Sequence, residues 1–183
     1  MTAPRRRLVR DRRGVAALEL ALVAPLLIAM GLGMVETVRY VRIRGCFANA
    51  AASMADLVAG QQGVTGGPTG SLHDLCQGAQ YEMAPYSVTP LTMSVASYTN
   101  PVSGSGLNKD WQYDSPCPGT AAMSSTAAQA LATSLTPSPG DSVIIVYATY
   151  GYTPWLPNTL VARTFSQYYT ARPRFGSVLC PNC

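Results

Sequence analysis

Hydrophobic positions along the chain fall into one long block followed by short alternating ones. Residues 15–35 are apolar or small throughout, broken only by a single charge, Glu19. Wound as a helix, these residues measure about 31 Å, close to the hydrocarbon thickness of a bilayer. Good helix formers stay in register beyond the span, through Ala48–Ala52, Met54, Ala55 and Leu57, which predicts that the helix runs on to about Leu57. The glycine-rich stretch 60–70 then breaks the pattern and reads as a linker. A short helix is expected over 72–83, with Leu72, Leu75, Cys76 and Ala79 on one face and Ser71 as its cap.

Further on, the period changes. Residues 87–98 alternate as a strand, with Pro90 pushing its start to an edge, and 111–113 suit a short pairing strand. The alanine-rich segment 120–135 reads as a helix ended by Pro137 and Pro139. Residues 142–152, Ser-Val-Ile-Ile-Val-Tyr-Ala-Thr-Tyr-Gly-Tyr, form the best strand in the sequence, β-branched and aromatic throughout. A Pro-Trp-Leu-Pro-Asn loop joins it to a further strand, 160–171, so the pair is expected to be an antiparallel hairpin. The fold class is therefore α+β: a long N-terminal transmembrane helix continuing into a domain with a small antiparallel sheet and short helices. The organisation predicted is a basic leader (1–14), a transmembrane helix (15–36), a helix stem (37–59), a linker (60–70) and an extracytoplasmic α+β domain (71–183).

Charge sharpens this picture. Charged residues make up 12% of the chain, half the usual fraction of a soluble domain, about 25%. Six of the thirteen basic residues precede Gly14, whereas residues 15–183 carry seven basic and eight acidic side chains. A nucleic-acid protein would spread basic residues over a folded face; here they abut the apolar span and act as a topology signal. The larger basic count stays inside, which orients the chain with its N-terminus in the cytoplasm and its C-terminal domain on the far side of the membrane.

Glu19 is the anomaly in the span, since a carboxylate there costs about 2.5–3.5 kcal/mol on insertion scales. The arginine leader, Gly14 and a glutamate five residues later resemble a prepilin signal cut on the cytoplasmic side by a prepilin peptidase. Cutting after Gly14 frees the α-amine of Val15, and the resemblance implies that Glu19 of an incoming subunit pairs with that amine on a neighbour. Two groups that are each costly in lipid then offset one another when the subunits are in register. Two rival readings of the span are an uncleaved signal anchor and a secretory signal peptide. For the latter, the nearest small-x-small site, Ala48-Asn49-Ala50, lies well beyond the apolar run. Ala17, Ala21, Pro25, Ala29 and Gly33 form a winding row of small surfaces, compatible with close helix packing or with ordinary membrane-helix composition.

Residues 14–59, GVAALELALVAPLLIAMGLGMVETVRYVRIRGCFANAAASMADLVA, resemble the TadE-like proteins of the tight-adherence (Tad, or Flp) pilus system. The shared elements are the Gly-x4-Glu start, a proline in the span, a glutamate followed by Arg-Tyr, here Glu36, Arg39 and Tyr40, and an alanine-rich continuation. Residues 150–157, Tyr-Gly-Tyr-Thr-Pro-Trp-Leu-Pro, resemble the family's aromatic-proline loop, and Ala171-Arg172-Pro173 its closing Arg-Pro. The resemblance implies a minor pilin or pseudopilin whose partners are a prepilin peptidase, other Tad pilins, inner-membrane assembly proteins and membrane lipid. Glu36 and Arg39, three apart on a helix, are expected either to make a surface ion pair or to serve as an assembly contact at the outer interface.

Cys76, Cys117, Cys180 and Cys183 fall in the exported part, where an oxidising compartment favours disulfides, and four cysteines allow three pairings. Cys46 on the stem is the odd one: free, bonded to another subunit, or displacing one of the four. Cys180-Pro-Asn-Cys183 superficially resembles a redox or metal half-site, but no second such pair or histidine pair accompanies it. The single histidine, His73, has no acid–nucleophile setting, and hydrolase, zincin and phosphate-loop patterns are missing. The sequence thus predicts no catalytic residues, metal, cofactor, small-molecule substrate or nucleic acid. An anchored accessory or adhesive protein that does not polymerise is the alternative function.

Overall fold

In the computed structural model, which describes residues 13–103, 106–136, 138–155 and 161–183, the chain forms three layers. The first helix, α1 (Arg13–Ala59), is 47 residues long and runs unbroken through Pro25. Its two halves have different environments. Residues 14–35 project from the rest of the molecule, exposed almost throughout, and Glu36 is the first buried residue among those described. From there Ile43, Phe47, Ala50, Ala51, Met54, Ala55, Val58 and Ala59 are buried at helical spacing. The stem is therefore the central helix of the core, not a spacer between membrane and domain. Most of the leader, Pro137 and residues 156–160 of the aromatic-proline loop lie outside the described residues.

The sheet is fully antiparallel with strand order β2-β1-β3-β4, made from β1 (Leu91–Thr99), β2 (Asn108–Tyr113), β3 (Ser142–Tyr152) and β4 (Arg163–Ala171). Alternation sends Leu91, Met93, Val95, Ile144, Val146, Ala148, Tyr150 and Tyr152 to one face, where they pack on α1 and on α2 (Ser71–Tyr81). Ala96, Tyr98, Val143 and Ile145 point the other way, to Ala128 and Ala132 of α3 (Ser125–Leu135). Because β1 and β3 are covered on both faces, they are the most apolar strands, as the physics of a two-faced sheet requires.

Several expectations are corrected. Strand β1 begins at Leu91, after Pro90, and lies in the interior of the sheet between β2 and β3. Proline is accommodated because it precedes the ladder instead of sitting in it. Helix α2 is capped by Gly70, not Ser71; the Ser71 hydroxyl instead accepts from the Thr65 N–H at 2.8 Å, while the Ser71 N–H donates to the Thr65 hydroxyl at 2.9 Å. Helix α3 starts at Ser125, five residues later than its alanine content suggested.

The glycine-rich segment is also ordered against the domain. Val64 is buried, its N–H donates to the Leu179 carbonyl at 2.8 Å, and the Leu179 N–H returns a bond to Gln62. The Gly67 N–H reaches the Tyr113 hydroxyl at 2.9 Å, with Gly67 at φ 97°, a left-handed conformation that glycine adopts without penalty. Here glycine serves close backbone approach: a Cβ at Gly70 would come within 2.4 Å of the Thr65 and Gly66 carbonyl oxygens.

Of the three pairings open to the four cysteines, the fold contains Cys76–Cys117 and Cys180–Cys183, with Cys46 a half-buried free thiol. The first bond ties α2 to the segment after β2 across 41 residues, and the second closes a loop in the C-terminal tail. Chain-entropy reasoning gives the long loop about 4 kcal/mol and the short loop about half that. Replacing Cys76 and Cys117 together by Ser should lower the denaturant midpoint of the detergent-solubilised protein more than replacing Cys180 and Cys183. An equal effect of the two double variants would contradict this ranking.

Candidate membrane anchor and assembly site

Gly14 and Val15 open α1, and Glu19 is exposed on the same helix one turn beyond Val15. No heavy atom outside the helix comes within 4 Å of the position a Cβ would take at Gly14, Gly31 or Gly33. The lower half of α1 thus offers its entire circumference to surroundings other than this chain's own domain. Leu18, Leu22 and Met34 are among the exposed apolar side chains there. Among the described residues, α1 is the one helix long and apolar enough to cross a membrane.

Seventeen residues beyond Glu19, about 25 Å along the axis, the second group of predicted residues assembles. Glu36 is only 1% exposed. Its carboxylate accepts hydrogen bonds from the Tyr152 hydroxyl and, at 3.2 Å, from the Trp155 backbone N–H. The Arg39 guanidinium donates to the same carboxylate at 3.4 Å and to the Thr153 carbonyl, also at 3.4 Å. Tyr40 packs edge-on against Tyr152 and Phe165, with ring centroids 5.2 and 5.3 Å apart, a geometry favoured by the ring quadrupoles.

The expected surface ion pair is therefore a buried junction. Glu36 and Arg39 do pair, but the carboxylate faces the end of β3 instead of water. The structure brings Glu36, Arg39 and Tyr40 together and leaves Gly14, Val15 and Glu19 at the far end of the span. Tyr152 and the Thr153–Trp155 backbone, the partners that complete the junction, were not foreseen. Their one signal was strand alternation, which puts Tyr152 on the same face as Tyr150; nothing local points to a partner 116 residues earlier.

Burial pushes the Tyr152 phenol up to about 12, and its hydrogen bond to Glu36 and the charge of that carboxylate add to the effect. A hollow of about 200 Å³ beside the junction, lined by Arg39, Ile43, Pro85 and Tyr150 among others, is smaller than the roughly 300 Å³ at which ligand pockets begin. His73 lies elsewhere, with Nδ1 3.2 Å from the Pro116 carbonyl and Nε2 3.0 Å from Gln77. Among the described residues no cluster of three His, Cys, Asp or Glu side chains is placed to hold a metal ion.

Removing the junction should cost stability in graded steps. Tyr152→Phe loses one hydrogen bond to a charged group, about 1.5–3 kcal/mol. Glu36→Ala strips the acceptor from the Tyr152 hydroxyl and Trp155 N–H together, and should cost more. Because the folded phenol titrates above its unfolded value of about 10, its contribution is complete below pH 10 and is lost as pH rises towards 12. Denaturant unfolding across that window should therefore show a steeper alkaline loss for the native sequence than for Tyr152→Phe. Parallel curves would contradict the assignment.

Comparison with known proteins adds one match. Residues 14–56 match the family model described as TadE-like protein; no curated protein and no solved structure gives a match. The matched stretch covers the apolar helix, the helix side of the junction (Glu36, Arg39 and Tyr40) and most of the buried stem, and stops short of the sheet and of Tyr152 and Trp155. The N-terminal helix is thus similar to the TadE-like family model over these residues, which hold both the Gly-x4-Glu start and the Glu36-Arg39-Tyr40 continuation.

Proposed function

We propose that the protein is a minor pilin or pseudopilin-like structural subunit of a Tad-type pilus, cut after Gly14 by a prepilin peptidase. The observation that carries this reading is the position of Glu19. It sits on an apolar helix that its own domain leaves bare, and within a stretch that matches the TadE-like family. A carboxylate in that setting is costly to bury in lipid unless a positive group meets it. The α-amine of Val15 on a neighbouring subunit supplies one when two processed helices pack in register.

In this reading the chain crosses the inner membrane once, N-terminus in the cytoplasm, and presents its α+β domain outside. Its role is structural: it joins other Tad pilins and the inner-membrane assembly proteins, and supports assembly, secretion or surface attachment. No chemistry is assigned to it. The disulfides agree with an oxidising compartment on the domain side.

Intact-mass measurement of the membrane-extracted protein should give a chain beginning at Val15. A mature, functional chain that retains residues 1–14 would favour an uncleaved anchor that does not polymerise. Glu19→Ala should insert into the membrane normally yet fail to co-purify with pilus components, because only the subunit-to-subunit charge pair is lost. Undiminished co-purification would remove the pairing role.

A further inference from the structure

The geometry points to a second membrane contact, made by Trp155 and Val161, which lie beyond the paired ends of β3 and β4, on the phospholipid interface where α1 leaves the bilayer. The inference rests on the reading that residues 15–35 span the membrane. If they do, the outer hydrocarbon boundary lies at about Val35, one residue before Glu36. Trp155 is fixed at that level, since its backbone N–H bonds the Glu36 carboxylate at 3.2 Å and Arg39 holds the neighbouring Thr153 carbonyl. The segment Thr153–Trp155 is thus held to the membrane exit of the helix by two bonds.

Its side chains suit that position. Trp155 is 72% exposed and Val161 75% exposed, whereas Tyr150 and Tyr152 just inside the ladder are buried. Tyr152 and Arg163 form the last pair of the β3–β4 ladder, so this end of the hairpin faces the bilayer and the opposite end faces away. An exposed indole at the boundary occupies the level at which tryptophan is enriched in membrane proteins, with its ring between acyl chains and headgroups. Cations complete the pattern. Arg39 lies about 6 Å beyond Val35 along the helix axis, within a headgroup layer about 5–7 Å deep; Arg42 lies about 10 Å beyond Val35, on the aqueous side of that layer, and Arg163 is exposed at the hairpin end. Apolar groups at the boundary with arginines just above them match a phospholipid surface, with acyl chains below and phosphates above.

The consequence is a fixed pose. A single spanning helix leaves a domain free to tilt and rotate, whereas a second contact to one side of it sets both angles. The other tryptophan serves as an internal reference: Trp111 is buried and pairs with Ser97, opposite Ile144, eight residues along β3 from Tyr152 and about 27 Å from the membrane end.

The test uses the full chain reconstituted in phosphatidylcholine–phosphatidylglycerol vesicles, with acyl chains brominated near the headgroup. Trp155 should lose most of its fluorescence to brominated lipid and be shielded from aqueous iodide. In Trp155→Phe the remaining Trp111 emission should be indifferent to bromine. Emission from Trp155 that is open to iodide and untouched by bromine would overturn the contact. Shielding from both quenchers would also overturn it, in favour of a second copy of the chain covering the loop. Alkaline carbonate extraction separates the two premises: a protein that washes off the vesicles refutes the span and the contact with it, whereas one retained with unquenched Trp155 refutes the contact alone.

Discussion

The burial of Glu36 is the constraint on which the architecture turns. A carboxylate taken out of water must be met by donors, and here these come from β3 and the residues just after it, 116 to 119 positions along the chain. The requirement fixes where the helix stops being bare and where the domain begins. It also sets the register of α1 against the sheet, because the same helical face that carries Glu36 carries Tyr40, Ile43 and Phe47 into the aromatic cluster with Tyr150, Tyr152 and Phe165. Moving the helix by one residue would rotate it by about 100° and put this face out of reach of all of them.

The two glutamates of α1 therefore face opposite problems. Glu36 is satisfied within its own chain, by a hydroxyl, a backbone N–H and a guanidinium. Glu19 is carried on a helix surface that the domain does not cover, so under the proposed function its partner comes from another molecule. One acid organises the subunit, and the other is left to organise contacts between subunits.

Much of this was legible in the sequence, for physical reasons that differ by element. The long apolar helix and β3 were plain because each is a long run of one environment: 15–35 apolar or small but for Glu19, 142–152 rich in β-branched and aromatic residues. The hairpin followed from two such strands with a short connection. The glycine-rich segment misled, because composition reports backbone freedom and not whether a neighbouring strand of tail will use the close approach that glycine permits. Pro90 misled in a similar way: it marks the start of a strand but does not say on which side of the sheet the strand lies. Glu36 and Arg39 were recognisable as a pair from their spacing, but spacing on a helix carries no information about burial. That required Tyr152 and Trp155, whose proximity is a property of the closed fold. The disulfide pairing was likewise out of reach, since four cysteines in sequence do not specify their distances in space.

The ends of the stem add a mechanical consequence. Glu36 secures its lower end, and at its upper end the Ala59 carbonyl accepts from the Arg174 N–H at 3.0 Å, while Gln62 and Val64 just beyond join the tail at Leu179. Between these clamps lie 24 residues of continuous helix, about 36 Å. Under the proposed function, a pull applied at the far pole of the domain enters α1 through short backbone bonds and runs down an unbroken helix into the membrane. Among the described residues no slack tether lies along that path, so the domain and its anchor bear load together.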